Sequence, residues 1–155
     1  MFNKILVPYD GSDQSQKALD HAARIASDQD SAEIILLHVV ENITLPPLAG
    51  DKSRSYATGE VIDRDALQKE IYLDRKKHAL KMLEDSKSKI RHIRCSTVVL
   101  YGHPSDSILK YAAEEQVDLI VIGNIGLSGM ARLQALGSVS RAVAERSQCP
   151  VMIVH

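Results

Sequence analysis

Unbroken apolar runs that alternate with helix-spaced segments set the strongest limit on what this chain can fold into. KILVP (4–8), EIILLHVV (33–40), DLIVIG (118–123) and PVMIV (150–154) lack the apolar/polar alternation of a strand with one wet face. Runs of this kind are buried on both sides, which requires helices above and below a parallel sheet. The first strand, KILVPYD, ends at Pro8, and Gly11-Ser12-Asp13 supplies turn and cap residues for a helix to about Ser27. Ala18, Leu19, Ala22, Ile25 and Ala26 give that helix one apolar face. EIILLHVV is the second strand. From Asn42 to about Arg64 periodicity vanishes, and Pro46, Pro47, Gly50 and Gly59 mark a long irregular connection. A charged helix is then expected from about Asp65 to Lys89, with Leu73, Leu80 and Leu83 as its apolar stripe.

The third strand is expected from about Ile93 to Leu100. After Gly102-His103-Pro104 comes a helix that turns Ile108, Leu109 and Ala112 inward. DLIVIG is the fourth strand, SVSRAVAERS a helix and CPVMIV the last strand. The sum is five strands and four helices in one α/β domain over residues 1–155, a doubly wound parallel sheet with helices on both faces. A chain of this length buries roughly 70% of the surface it exposes when unfolded, so no covalent staple is needed. Aromatic residues are only 4% of the chain and Trp is missing, so the core must be aliphatic.

Charge and composition narrow the function classes. A net charge of −1 gives no field to grip nucleic acid or anionic lipid, so neither is an expected partner. The opening MFNKILVPYDGS lacks the apolar middle of a signal peptide, and no later run is long enough to span a membrane. Cys95 and Cys149 sit in or beside apolar runs, as reduced, packed thiols do, and a cytoplasmic location is expected.

In a doubly wound sheet, ligands bind outside the carboxyl ends of the strands where connections diverge. Two strands end unusually there. The first runs into Pro8-Tyr9-Asp10-Gly11, and the fourth into Gly123-Asn124-Ile125-Gly126-Leu127-Ser128-Gly129. Glycines let backbone amides approach a phosphate, because no Cβ intervenes and positive φ is cheap. Gly137-Ser138-Val139-Ser140 then opens a helix whose free amides, dipole and two hydroxyls suit an anion. The same residues would serve equally as a flexible loop and a helix cap, and Asp10 as a turn residue. Placed at the strand end, Asp10 would instead accept from a ribose hydroxyl or an adenine edge. Pro8, Val39 and Ile122 stand where an apolar adenine slot can form, or where core packing alone would place them. His38, inside an apolar run, reads as a satisfied core histidine, while His103 faces either the site or solvent.

Three segments together resemble the universal stress protein family over essentially the whole chain: KILVPYDGSDQSQKALDHA, IILLHVVE and VIGNIGLSGMARLQALGSVSRAVAERSQCPVMIVH. The last is similar to the nucleotide-binding signature of the family's ATP-binding branch. Between Gly126 and Gly137-Ser138 run Leu127 to Leu136, a span one residue longer than the family's, and Ile125 stands where the family often has Arg or His.

The resemblance implies an adenine nucleotide alpha hydrolase-like fold with strand order 3-2-1-4-5. It implies ATP, or ADP or AMP, as ligand, with Mg²⁺ carried by the phosphates. Asp10 would contact ribose or adenine, Val39 with Ile122 the base, and Gly123, Gly126, Gly137, Ser138 and Ser140 the phosphates. Pro8, Tyr9, Asn124, Leu127, Gly129 and Val139 complete the expected site. A homodimer through the last strand, Pro150 to His155, is implied as well. No GxxxxGK[ST] loop or dedicated metal cluster stands in the sequence, so a regulatory module with little or no turnover is expected. The alternatives are a slow Mg²⁺-dependent ATP hydrolase, with Asp10 or His103 positioning water, and a dimeric scaffold that binds no nucleotide.

Overall fold

The computed structural model describes residues 1–29, 31–45, 64–127 and 136–155. Most of the irregular connection expected between Asn42 and Arg64, and the glycine-loop residues Ser128 and Gly129, lie outside them. The described elements are β1 (Lys4–Pro8), α1 (Asp13–Ser27), β2 (Glu33–Val40), α2 (Arg64–Lys87), β3 (Arg94–Tyr101), α3 (Pro104–Glu114), β4 (Leu119–Gly123), α4 (Ser138–Arg146) and β5 (Val151–Val154). A single 3₁₀ turn, Ser88–Ile90, follows α2. The expected five strands and four helices are all present within a few residues of their sequence bounds.

All four strand pairings are parallel and the order is β3-β2-β1-β4-β5. Alternate residues of each central strand feed opposite cores, as the two-residue repeat of a strand demands. Ile5, Val7, Ile34, Leu36 and Val121 pack beneath Ala18, Leu19 and Ala22 of α1 and Leu83 of α2. Leu6, Ile35, Leu37, Ile120 and Ile122 pack against Ile108 and Ala112 of α3 and Val143 of α4. Burying each such aliphatic chain is worth about 1.5–3 kcal/mol, which explains why a core nearly free of aromatics holds the fold.

Local signals set the helix starts. Ser12 Oγ accepts from Ser15 N at 3.1 Å and caps α1. Pro104 sits in the first turn of α3, where its missing N–H costs nothing. Cys95 and Cys149 are free and half-buried, and burial pushes the Cys95 thiol up to about 11.

The stripe expected on α2 is corrected by the structure. Leu83 is fully buried, but Leu73 and Leu80 are 59% and 39% exposed, and the inward face is completed by Ala79 and Ser86. Leu73 and Leu80 repeat at seven residues, but in a helix that packs on β2 and β3 the buried positions are Ala79, Leu83 and Ser86. Leu83→Ala is therefore expected to cost about 2–5 kcal/mol in denaturant unfolding. Leu73→Ala should stay within roughly 0.5 kcal/mol of the wild type.

Candidate functional site

β1 pairs with β2 on one side and with β4 on the other, so the connections leaving the ends of β1 and β4 diverge. At that divergence lies a cavity of about 800 Å³, within the range of sites for small organic ligands. It is bounded by the ends of β1, β2 and β4, the start of α4, and one stripe of α2.

Asp10 is the joint of this edge. Its Oδ1 accepts from Ser12 N at 3.0 Å and Ser12 Oγ at 2.6 Å, and its Oδ2 accepts from Leu127 N at 2.9 Å. The carboxylate thus holds the turn after β1 and the glycine loop after β4 together. Burial works to raise its pKa, but the Ser12 hydroxyl and the Leu127 and Ser12 amides outweigh that and hold it below the ordinary 3.8.

The glycines answer to packing rather than to backbone twist. Neither Gly123 nor Gly126 has positive φ. A Cβ on Gly123 would stand 2.8 Å from Gln14 Cβ and 2.9 Å from its carbonyl carbon, so this glycine admits α1 against β4. A Cβ on Gly126 would stand 2.6 Å from Asp10 Oδ2, so this glycine admits the carboxylate.

At the far end of the loop, Gly137 N–H donates to Asn124 O at 2.8 Å, closing the segment at its base. The first backbone bond within α4 is Arg141 N to Gly137 O, and Gly137 caps the helix without a side chain. The amides of Ser138, Val139 and Ser140 therefore precede any helical partner and end at the cavity wall. The Ser140 hydroxyl is not free for an anion: it is buried and donates to Asn124 O at 2.7 Å, with Gly137 O at 3.0 Å as a second acceptor. Ser138 is exposed and lines the cavity.

Pro8, Tyr9, Asp10, Val39, Ile122, Gly123, Gly126, Leu127, Gly137, Ser138, Val139 and Ser140 all border this one space. Asn124 does not: its Nδ2 donates to His155 Nδ1 at 3.1 Å, turning the side chain to the last strand. Gly129 lies outside the described residues. His38 also lines the cavity, with Nδ1 donating to Tyr9 O at 2.8 Å, which leaves Nε2 as the acceptor of the neutral ring. His103 is not among the lining residues; its Nδ1 lies 3.1 Å from Ser105 Oγ and 3.7 Å from Asp106.

Sequence reasoning missed the α2 wall, formed by Arg75, His78, Ala79 and Met82, and the Glu41 beside it. Their helical spacing (i, i+3, i+4, i+7) was visible, and a helix returning antiparallel to β2 must begin above the carboxyl edge. The described start of the connection supports that placement: Ile43 N donates to Tyr72 Oη at 3.2 Å, and Gln68 Nε2 to Ile43 O at 3.2 Å.

A family model for the universal stress protein family matches residues 1–155. The chain is 41% identical over 157 residues to the universal stress protein YxiE of Bacillus subtilis (strain 168), covering all of both. Among solved structures, it resembles the universal stress protein UspA from Lactobacillus plantarum with a TM-score of 0.80 and 26% identity, over 99% of this chain and 98% of that one. It resembles a universal stress protein solved in complex with cAMP with a TM-score of 0.64 and 28% identity, over 99% and 97%.

Two outcomes follow from the Asp10 joint. Gly126→Ala should destabilise the fold by about 1–3 kcal/mol in thermal unfolding, since the new methyl must displace the carboxylate. A carboxylate held below its ordinary pKa stabilises the fold at neutral pH and loses that contribution as pH falls through the folded value. The stability gap between wild type and Asp10→Asn should thus be full well above pH 3.8 and close on further acidification. Because Asp118 also titrates low, held by the Lys4 and Asn3 amides, the gap between the two proteins is the informative quantity.

Proposed function

The chain belongs to the universal stress protein family, and we propose that it binds ATP, or the related ADP or AMP, in the cavity at the β1–β4 junction as a cytoplasmic regulatory module with little or no turnover. The observation that carries this reading is the meeting of two unlike walls in one space. On one side are the amides of Ser138, Val139 and Ser140 at the positive end of α4, unpartnered among the described residues; on the other are the apolar Pro8, Val39 and Ile122. An anion belongs at the first and a flat apolar base at the second. The relative solved with cAMP adds an adenine nucleotide on the same fold.

Within that reading, Ser138 Oγ donates to the phosphates, while Ser140 holds the loop base instead of touching the ligand. Asp10 keeps lone pairs beyond the three bonds it accepts and can take a further one from a ribose hydroxyl. Among the described residues no group of three His, Cys, Asp or Glu side chains stands together to hold a metal, so Mg²⁺ would be carried by the phosphates. Little turnover accords with Asp10, a weak base whose oxygens are already hydrogen-bonded, and with His103, which lies off the cavity wall.

A regulatory role needs a path from site to surface. Asn124 accepts from Gly137 and Ser140 at the loop base, while its own N–H donates to Val154 O at 2.8 Å and its side chain reaches His155. β5 is an edge strand with Met152 exposed, which favours a homodimer through Pro150 to His155 whose geometry senses the loop. Among the described residues, no helix is long and apolar enough to cross a membrane.

The test is to denature purified protein, identify released nucleotide by mass, and titrate the stripped protein with ATP and Mg²⁺ by calorimetry. Ligand at 100 times its Kd should add about 2.7 kcal/mol to stability. Gly126→Asp should abolish binding, and Ser138→Ala should weaken it by about 0.5–1.5 kcal/mol. No copurified nucleotide, and an unfolding transition unmoved by saturating ATP, would sink the proposal in favour of the dimeric scaffold.

A further inference from the structure

α2 turns one stripe to the cavity, Arg75, His78, Ala79 and Met82, so this wall is a property of the helix and not of a stray side chain. The charged and titratable groups on the described wall are few: the carboxylates of Asp10 and Glu41, the imidazole of His38, whose Nδ1 donates to Tyr9 O, the imidazole of His78 and the guanidinium of Arg75. His78 is committed to its own helix, with Nδ1 donating to Asp74 O at 3.0 Å and the Asp74 carboxylate 3.4 Å away. Asp10 is ionised and hydrogen-bonded. Arg75 alone among these is a permanent cation, and its guanidinium makes no ion pair or hydrogen bond with any described residue.

This balance constrains which nucleotide the site accepts. Among the described lining residues two carboxylates face one guanidinium, and position 125, beside the phosphate-facing loop, is an isoleucine. A neutral nucleoside loses little in such a site, whereas each added phosphate brings negative charge toward Asp10 and Glu41. The amides of α4 offer only partial charges. We propose that Arg75 is the residue that sets phosphate-number specificity: it supplies from α2 the cation that the glycine loop lacks at position 125, and makes the site favour a nucleoside triphosphate over a monophosphate. Arginine suits this role, since it stays charged at any working pH and its fork matches phosphate oxygens. The inference rests on the adenine-nucleotide reading above and adds to it which member of that class is preferred.

The experiment is calorimetric titration of wild type, Arg75→Gln and Arg75→Lys with ATP, AMP and adenosine at low and at high ionic strength. Arg75 is exposed on a helix, so these variants should fold, which the unfolding transition of each checks. Arg75→Gln is expected to lose roughly tenfold in ATP affinity while adenosine affinity changes less than about twofold, and its ATP affinity should depend less on salt. Arg75→Lys should retain most of the preference for ATP. Equal losses for ATP and adenosine, or an ATP affinity untouched by Arg75→Gln, would overturn the role of Arg75 while leaving nucleotide binding intact. A wild type that binds none of the three ligands would overturn both readings.

Discussion

The reversal of winding at β1 governs everything at the carboxyl edge of the sheet. Because β1 is flanked by β2 on one side and β4 on the other, two connections part above it, and the cavity lies at that divergence. Asp10 spans it with three hydrogen bonds shared between the turn after β1 and the loop after β4. Hydrogen bonds to a charged acceptor are about twice as strong as neutral ones, which makes one carboxylate sufficient. The cavity is what remains beneath that span.

Glycine use at the site follows from this arrangement. Gly123 lets the start of α1 approach β4, and Gly126 lets the Asp10 carboxylate approach the loop. Both would be needed in a chain with no ligand at all, so glycine spacing by itself is weak testimony for phosphate binding. The independent testimony comes from α4, whose first amides are left without partners among the described residues and whose cap carries no side chain. Ser140 shows the same division between support and contact. It looks like a ligand in the sequence and works as a brace in the structure, tying the helix start to Asn124 O.

Placed on the edge strand side, Asn124 links the loop base to Val154 and His155, so the loop base and the last strand share one residue. On the other side, α2 brings Arg75 and Met82 over the same edge. The walls therefore come from both layers of helices, and their charges combine in a way that no single segment displays.

The apolar runs of β1, β2 and β4 were enough to settle the class of fold, because central strands without alternation are covered on both faces, whereas PVMIV, equally apolar, forms the edge strand with Met152 exposed. They also located the carboxyl edge, since Pro8-Tyr9-Asp10 and the glycines from Gly123 onward interrupt those runs where strands end. The family resemblance added the strand order, which pairing of β1 with β4 now bears out. Sequence could not say which leucines of α2 face inward. Leu73, Leu80 and Leu83 all satisfy a helical stripe, and only the packing of α2 on β2 and β3 leaves Leu83 buried and the other two wet. Nor could it say that Asp10 grips the loop, that Asn124 turns away, or that Arg75 joins the wall. Those facts depend on groups between about thirty and more than a hundred residues apart meeting at one edge. Local patterning carries no record of such meetings, because it reports which face of an element is apolar and not what that face encounters.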